Sequence, residues 1–345
     1  MDSSPTTLCD LPFEILQAIC MKLSCIKEYV VFGDVCSLWR VVLFHCRQQI
    51  PPLLMNPNLP LRGHIVVFRH TVFCCPDLCN HVLSSEGFSA CLGSSYGWLI
   101  TGFRGTIGLW NPFLSFNNVI QLPRPSGHGF IDMVILSNEP LKTSNFVVMI
   151  IYSGGKLEFL KAGDTSWTHI DYNRTVQAIA YYDDQLYAIS YLGELISCNV
   201  NTTPTSVKRV DSFGWINYFK RLVVSAGNLL CVAWDENDDG RQAVGFRVFN
   251  VETKNGELLE LNSLGGHAIF VSRTSCVSLP APNNPNCKSD CIYFTTSRVS
   301  GVFNVIDKTI RHFELPEFNT RPLWIQPTLN MIETTNRIQG SSVSS

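Results

Sequence analysis

Residues 93–99 read GSSYGWL: Gly93, Ser94, Ser95, Tyr96, Gly97, Trp98 and Leu99. The first five fit G-x-S-x-G, the sharp strand-to-helix turn that presents a nucleophilic serine in α/β-hydrolases. That turn needs a strand before the serine and a helix directly after it. The chain continues instead as GWLITGFRGTIGLWNP (97–112), with glycine at 97, 102, 105 and 108, proline at 112 and no helical spacing of apolar residues. The stretch therefore reads as a tight turn feeding a strand, and Ser95 is not expected to be a nucleophile.

The same texture extends outward from this turn. HIVVF (64–68), NFVVMIIY (145–152), QLYAIS (185–190), NLLCVAW (228–234), AVGFRVFNV (243–251) and CIYFTT (291–296) are short runs rich in β-branched and aromatic residues. Gly, Asn, Asp and Pro punctuate them, as strands and turns require. Strand–turn–strand–turn–strand units recur loosely along residues 97–316 at the size of a propeller blade. The prediction is a large all-β propeller over 63–330, with six blades and a range of five to seven.

The chain has 345 residues, 46% of them hydrophobic and only 16% charged, with a net charge of -2. It carries no basic field or basic arm for nucleic acid. No run approaches the length of a membrane-spanning helix, and the N-terminus lacks the basic and apolar regions of a secretory signal. An intracellular address, cytoplasmic or nuclear, is expected, with the 14 cysteines mostly free thiols.

Other motifs lack the partners that their chemistry needs. DENDDG (235–240) copies the start of a calcium loop, but its twelfth position, where a bidentate glutamate belongs, is Phe246. Cys74, Cys75, Cys79 and His81, or Cys287 with Cys291, have no second half at zinc spacing. Trp98, Trp110, Trp167, Trp215 and Trp234 sit at or beside strands and read as core. No catalytic set, metal site or cofactor is expected.

Residues 8–48 differ in kind. Asp10 can cap a helix that Pro12 opens, and Ile15, Leu16, Ile19 and Leu23 form one apolar stripe. A second helical run after Ser24 is crowded with Tyr29, Val30, Phe32, Val35, Leu38, Trp39, Val42 and Leu43, and Gly33 inside it costs about 1 kcal/mol relative to alanine. So much apolar surface on a small helical unit calls for a partner. Four prolines in PPLLMNPNLPLRG (51–63) suggest a linker over 49–62, and 331–345 reads as a disordered tail.

Residues 11–42 closely resemble an F-box, through Leu11, Pro12, Glu14, Ile15, Leu16, Ile19 and Leu23, then Val35, Cys36, Trp39 and Arg40. The remainder resembles the plant kelch-like β-propeller domain of unknown function that often follows an F-box. The matching stretches are GSSYGWL (93–99), LWNP (109–112), QLP (121–123), GNLLCVAW (227–234), GFRVFNVE (245–252), LGGHAIFVS (264–272) and CKSDCIYFT (287–295). The resemblance implies a non-catalytic substrate receptor of a ubiquitin ligase. Its F-box would bind a Skp-type adaptor, and through it a cullin and a RING protein, while the propeller binds a target protein. Leu11, Pro12, Ile15, Leu16, Ile19, Leu23, Val35 and Trp39 would form the adaptor contact. The alternative is a scaffold that binds a partner without promoting its ubiquitination.

Overall fold

The structure is a computed structural model that describes residues 11–326 apart from 24–27, 29–30, 34, 47–51, 56–63, 68–70, 75–87, 104–105, 112–118, 127–129, 153, 203–205, 213–218, 237–242, 255–256, 282–286, 296–299 and 314–321. Two helices come first, α1 (Phe13–Cys20) and α2 (Ser37–Cys46). Residues 31–33 add a helical turn. Three strands come next: β1 (Leu53–Met55), β2 (His64–Val67) and β3 (Thr71–Cys74).

The rest of the chain folds into sheets of consecutive strands. The first blade holds β4 (Phe88–Ser95), β5 (Trp98–Phe103), β6 (Thr106–Trp110) and β7 (Ile120–Leu122). The second holds β8 (Ile131–Leu136), β9 (Val147–Tyr152), β10 (Lys156–Lys161) and β11 (Thr168–Ile170). In the third are β12 (Val176–Tyr182), β13 (Gln185–Ser190), β14 (Glu194–Asn199) and β15 (Ser206–Ser212). The fourth comprises β16 (Phe219–Ser225), β17 (Asn228–Glu236), β18 (Ala243–Val251) and β19 (Leu258–Leu261).

The fifth blade is irregular. It contains β20 (His267–Val271), β21 (Cys276–Pro280), β22 (Cys291–Thr295), β23 (Ser300–Asn304) and β24 (Ile310–Phe313) in the order β21-β20-β22-β23-β24, with β20 parallel to β22. A last strand, β25 (Leu323–Ile325), pairs antiparallel with β1, giving a composite sheet β25-β1-β2-β3 that joins the two ends of the propeller.

The molecule is thus a β-propeller with few helices. The sequence predicts six blades within a range of five to seven; the structure has five, because strands from the two ends of the chain pair into a closing sheet rather than a further blade of consecutive strands. The sequence suggests a linker over 49–62, most of which lies outside the described residues. Its β1 is a sheet strand, and Leu54 is buried against Trp324, because burying this leucine outweighs the freedom that the prolines suggested. Residues 331–345 lie outside the described residues.

Each blade is covered by a neighbour on both faces, which explains the unbroken apolar runs. All six residues of β9 are buried. Separate hydrophobic clusters fill the seams between adjoining sheets, such as Met149, Phe159, Ile179 and Ile196 between the second and third blades. Left-handed residue pairs turn the inner strand of three blades back on itself: Tyr96-Gly97 (φ 51, 76), Asp183-Asp184 (φ 48, 55) and Ala226-Gly227 (φ 49, 75). Positive φ at both central residues is the signature of the tight hairpin that suits strand twist. GSSYGWL is one of these turns.

Candidate functional site

The helices do not stand apart from the propeller. Leu16 and Cys20 of α1 and Trp39, Val42, Leu43 and Cys46 of α2 share one cluster with Leu99 and Trp110 of the first blade and Leu323 and Ile325 of β25. They fill the seam between the closing sheet and the first blade. Part of the excess apolar surface seen in the sequence is satisfied within the chain, and Leu99, Trp110, Leu323 and Ile325 are the residues that sequence reasoning missed. They sit about 50 to 310 positions away in strands that read as ordinary core, so no local signal marked them.

The helical details reflect this packing. α1 begins after Pro12, which occupies the N-cap position with no side-chain cap bond, while Asp10 lies outside the described residues. The second helical run is not continuous but is broken at Val35 and Cys36 before α2. Phe32 packs on Trp39 with ring centroids 4.5 Å apart, and Arg40 Nε donates to the Gly33 carbonyl at 3.1 Å. A Cβ at Gly33 would lie 2.9 Å from Leu43 Cδ2, so glycine there permits close approach of the two segments.

The expected adaptor residues divide by this arrangement. Ile15 (49% exposed) and Val35 (42%) face outward, joined by Val31 (58%), which the sequence pattern did not single out. Pro12 is exposed, and Leu11, Ile19 and Leu23 are half-buried against the cluster. Leu16 and Trp39 are buried at 0% and 9% and face the interior cluster. Side chains four residues apart share a helix face. The stripe's inner members are taken by the propeller seam.

At the propeller centre the side chains act as ties. Ser94 Oγ–H donates to the Trp324 carbonyl, and Ser95 Oγ accepts from the Leu136 N–H at 3.2 Å. The Lys220 N–H donates to Gln177 Oε1 at 3.1 Å, Ser225 and Ser278 hydroxyls meet at 2.7 Å, and the Trp324 N–H donates to Ser275 Oγ at 2.8 Å. The turn Ser272–Ser275 enters this centre. Buried Arg221 donates to the carbonyls of Ser272 (3.2 Å), Arg273 (2.6 Å), Gln177 (3.3 Å) and Lys220 (2.7 Å). A Cβ on Gly93 would lie 3.0 Å from the Val134 carbonyl and 3.3 Å from that of Thr274.

The motifs of the sequence take structural places. Ser95 is an acceptor at a blade seam. Phe246, at the twelfth position of the would-be calcium loop, is buried among Trp234, Phe294 and Phe303. Residues 237–240 of that loop, and Cys75, Cys79 and His81, lie outside the described residues. Cys287 and Cys291 pack in the cluster between the fifth blade and the closing sheet, and burial pushes the Cys287 thiol up to about 12. Among the described residues no three His, Cys, Asp or Glu side chains gather as metal ligands, and the nine cysteines described are free. Trp98, Trp110, Trp167 and Trp234 are core, while Trp215 lies outside the described residues. Also among the described residues, no helix is long and apolar enough to cross a membrane.

The profile of the KIB1-4 β-propeller matches residues 74–309. The chain belongs to the KIB1-4 β-propeller family. The family's propeller thus takes in all five consecutive blades nearly whole, and the match carries this name rather than kelch-like. Relatives along almost the whole length are F-box proteins. A putative F-box protein of Arabidopsis thaliana is 25% identical, covering 91% of this chain and 95% of its own. Another from the same plant is 31% identical, covering 86% of this chain and 91% of its own. A solved β-propeller domain from Myceliophteria thermophila is 10% identical, covering 78% of this chain and 87% of its own, with a TM-score of 0.43.

Proposed function

We propose that the chain is the substrate-receptor subunit of a Skp–cullin–F-box ubiquitin ligase. Its helices dock on a Skp-type adaptor, which brings the cullin and RING protein, and its propeller holds a target protein. The observation that carries this reading is the exposure of three aliphatic residues, Ile15 on α1, Val31 on the helical turn 31–33 and Val35 in the break before α2, while Leu16, Phe32 and Trp39 beside them are buried. The F-box names of the relatives give that set its partner class.

Such a receptor makes and breaks no bonds. It raises the effective concentration of target lysines near the charged ubiquitin carrier. A helical unit sharing a core with the propeller fixes the direction in which a bound target is presented. Burying each exposed aliphatic against the adaptor contributes about 1.5–3 kcal/mol, against an association cost of several kcal/mol.

The test is binding of the purified full chain to a plant Skp-type adaptor, with Ile15→Asp, Val35→Asp as the paired variant. Binding lost in the folded variant supports the reading. Wild-type chain that fails to bind overturns it, leaving a stand-alone scaffold. Ubiquitination of a captured partner separates a receptor from an adaptor-bound scaffold.

A further inference from the structure

A cleft of about 270 Å³ lies between the third and fourth blades, lined by Gln185, Tyr187, Ser197, Lys208, Thr253 and Lys254. Strand register builds one wall. Tyr187 of β13 stands opposite Ser197 of β14, which stands opposite Lys208 of β15, so the three side chains share the face turned to the fourth blade. Tyr187 packs there against Phe249 and Val251. The other wall is the turn after β18, which supplies Thr253, engaged by the Tyr187 hydroxyl, and Lys254.

The charges in the cleft are unbalanced. Arg209, also on its wall, is paired with Glu194 at 3.3 Å. Lys208 and Lys254 have no ion-pair partner among the described residues. Asp183, in the hairpin before β13, is the carboxylate whose charge reaches Tyr187. Two lysine ammonium groups supply positive charge on the lining, and the Ser197, Thr253 and Tyr187 hydroxyls there can also donate to a negative oxygen. The volume falls below the ~300–1,000 Å³ of drug-sized pockets and suits one charged side chain. β15 is also the outer edge of its blade, and among the described residues no further strand pairs with it, so an extended peptide has a strand edge beside the cleft.

We propose that this cleft binds an anionic oxygen group, phosphate or carboxylate, carried on an extended segment of a partner protein. The site is independent of adaptor docking.

Calorimetric titration of the full chain in about 50 mM salt, where surface charges are weakly screened, tests it. The probes are acetylated Ser-Gly heptapeptides carrying one phosphoserine, one glutamate or neither. The charged peptides are expected to bind and the neutral one not. The Lys208→Glu, Lys254→Glu double variant should weaken binding by roughly tenfold or more, and Lys208→Arg, Lys254→Arg should retain it. Tighter binding of phosphoserine than glutamate assigns a phosphate; equal binding assigns a carboxylate. No binding of either charged peptide, equal binding of the neutral one, or an effect below about twofold in the reversal variant overturns the proposal. Lys208 and Lys254 are exposed, so matched thermal unfolding curves will show that the variants fold.

Discussion

The Ser95 hydroxyl accepts a hydrogen bond from the backbone N–H of Leu136 at 3.2 Å, across the seam between the first and second blades. Its neighbour Ser94 ties the same strand to Trp324 on the other side. Two adjacent serines, pointing to opposite faces of β4, hold the first blade to both of its neighbours. Removing the Ser95 acceptor leaves a partly buried N–H unpaired, at a cost of about 1–3 kcal/mol. Ser95→Ala should therefore lower the thermal midpoint by several degrees; an unchanged midpoint would contradict the structural role.

Gly93 is fixed by space. Its Cβ would press on the carbonyls of Val134 and Thr274, both backbone atoms that cannot swing aside. Gly93→Ala is expected to destabilise by about 1–3 kcal/mol, the usual range for overpacking. Urea unfolding with an unchanged slope and a lower midpoint is the expected outcome.

Arg221 is the most consequential side chain at the centre. It is 6% exposed and spends its donors on four carbonyls from three different blades. Arg221→Met should cost about 3–5 kcal/mol, because the carbonyls stay buried while their donor is gone. Arg221→Lys should recover little of it, since an ammonium cannot reproduce the fork. Chemical denaturation of both variants decides this; lysine restoring full stability would show that charge alone suffices.

Ile15 and Leu16 are neighbours in sequence with opposite fates, 49% and 0% exposed. Leu16→Ala should lower stability by about 2–5 kcal/mol, whereas Ile15→Ala should change stability by less than about 0.5 kcal/mol. On the proposed function, Ile15→Ala should instead weaken adaptor binding. Thermal unfolding and adaptor titration on the same two variants separate the roles.

Burial pushes the thiols of Cys198, Cys231 and Cys276 from 9.0 up to about 12. Folding thus favours the neutral thiol. That stabilisation is fully present below pH 9 and is lost as pH rises from 9 toward 12. The thermal midpoint should fall across that window, and Cys231→Ala should make the fall shallower. A midpoint that stays flat to pH 11 would rule this out.

Sequence by itself determined the class of the molecule. GSSYGWL excluded a nucleophile elbow because four glycines and a proline cannot continue as a helix. Short apolar runs with turn residues between them specified a propeller, and helical spacing marked residues 8–48 as a separate texture. These are local properties, set by side-chain period and backbone freedom. Tertiary structure alone decided how the ends meet: β1 became a strand because β25, about 270 residues later, supplies its partner. It also decided which half of an amphipathic stripe is left for other molecules. Leu16 and Ile15 are equally apolar, and only the seam formed by Leu99, Trp110, Leu323 and Ile325 makes one of them core and the other surface.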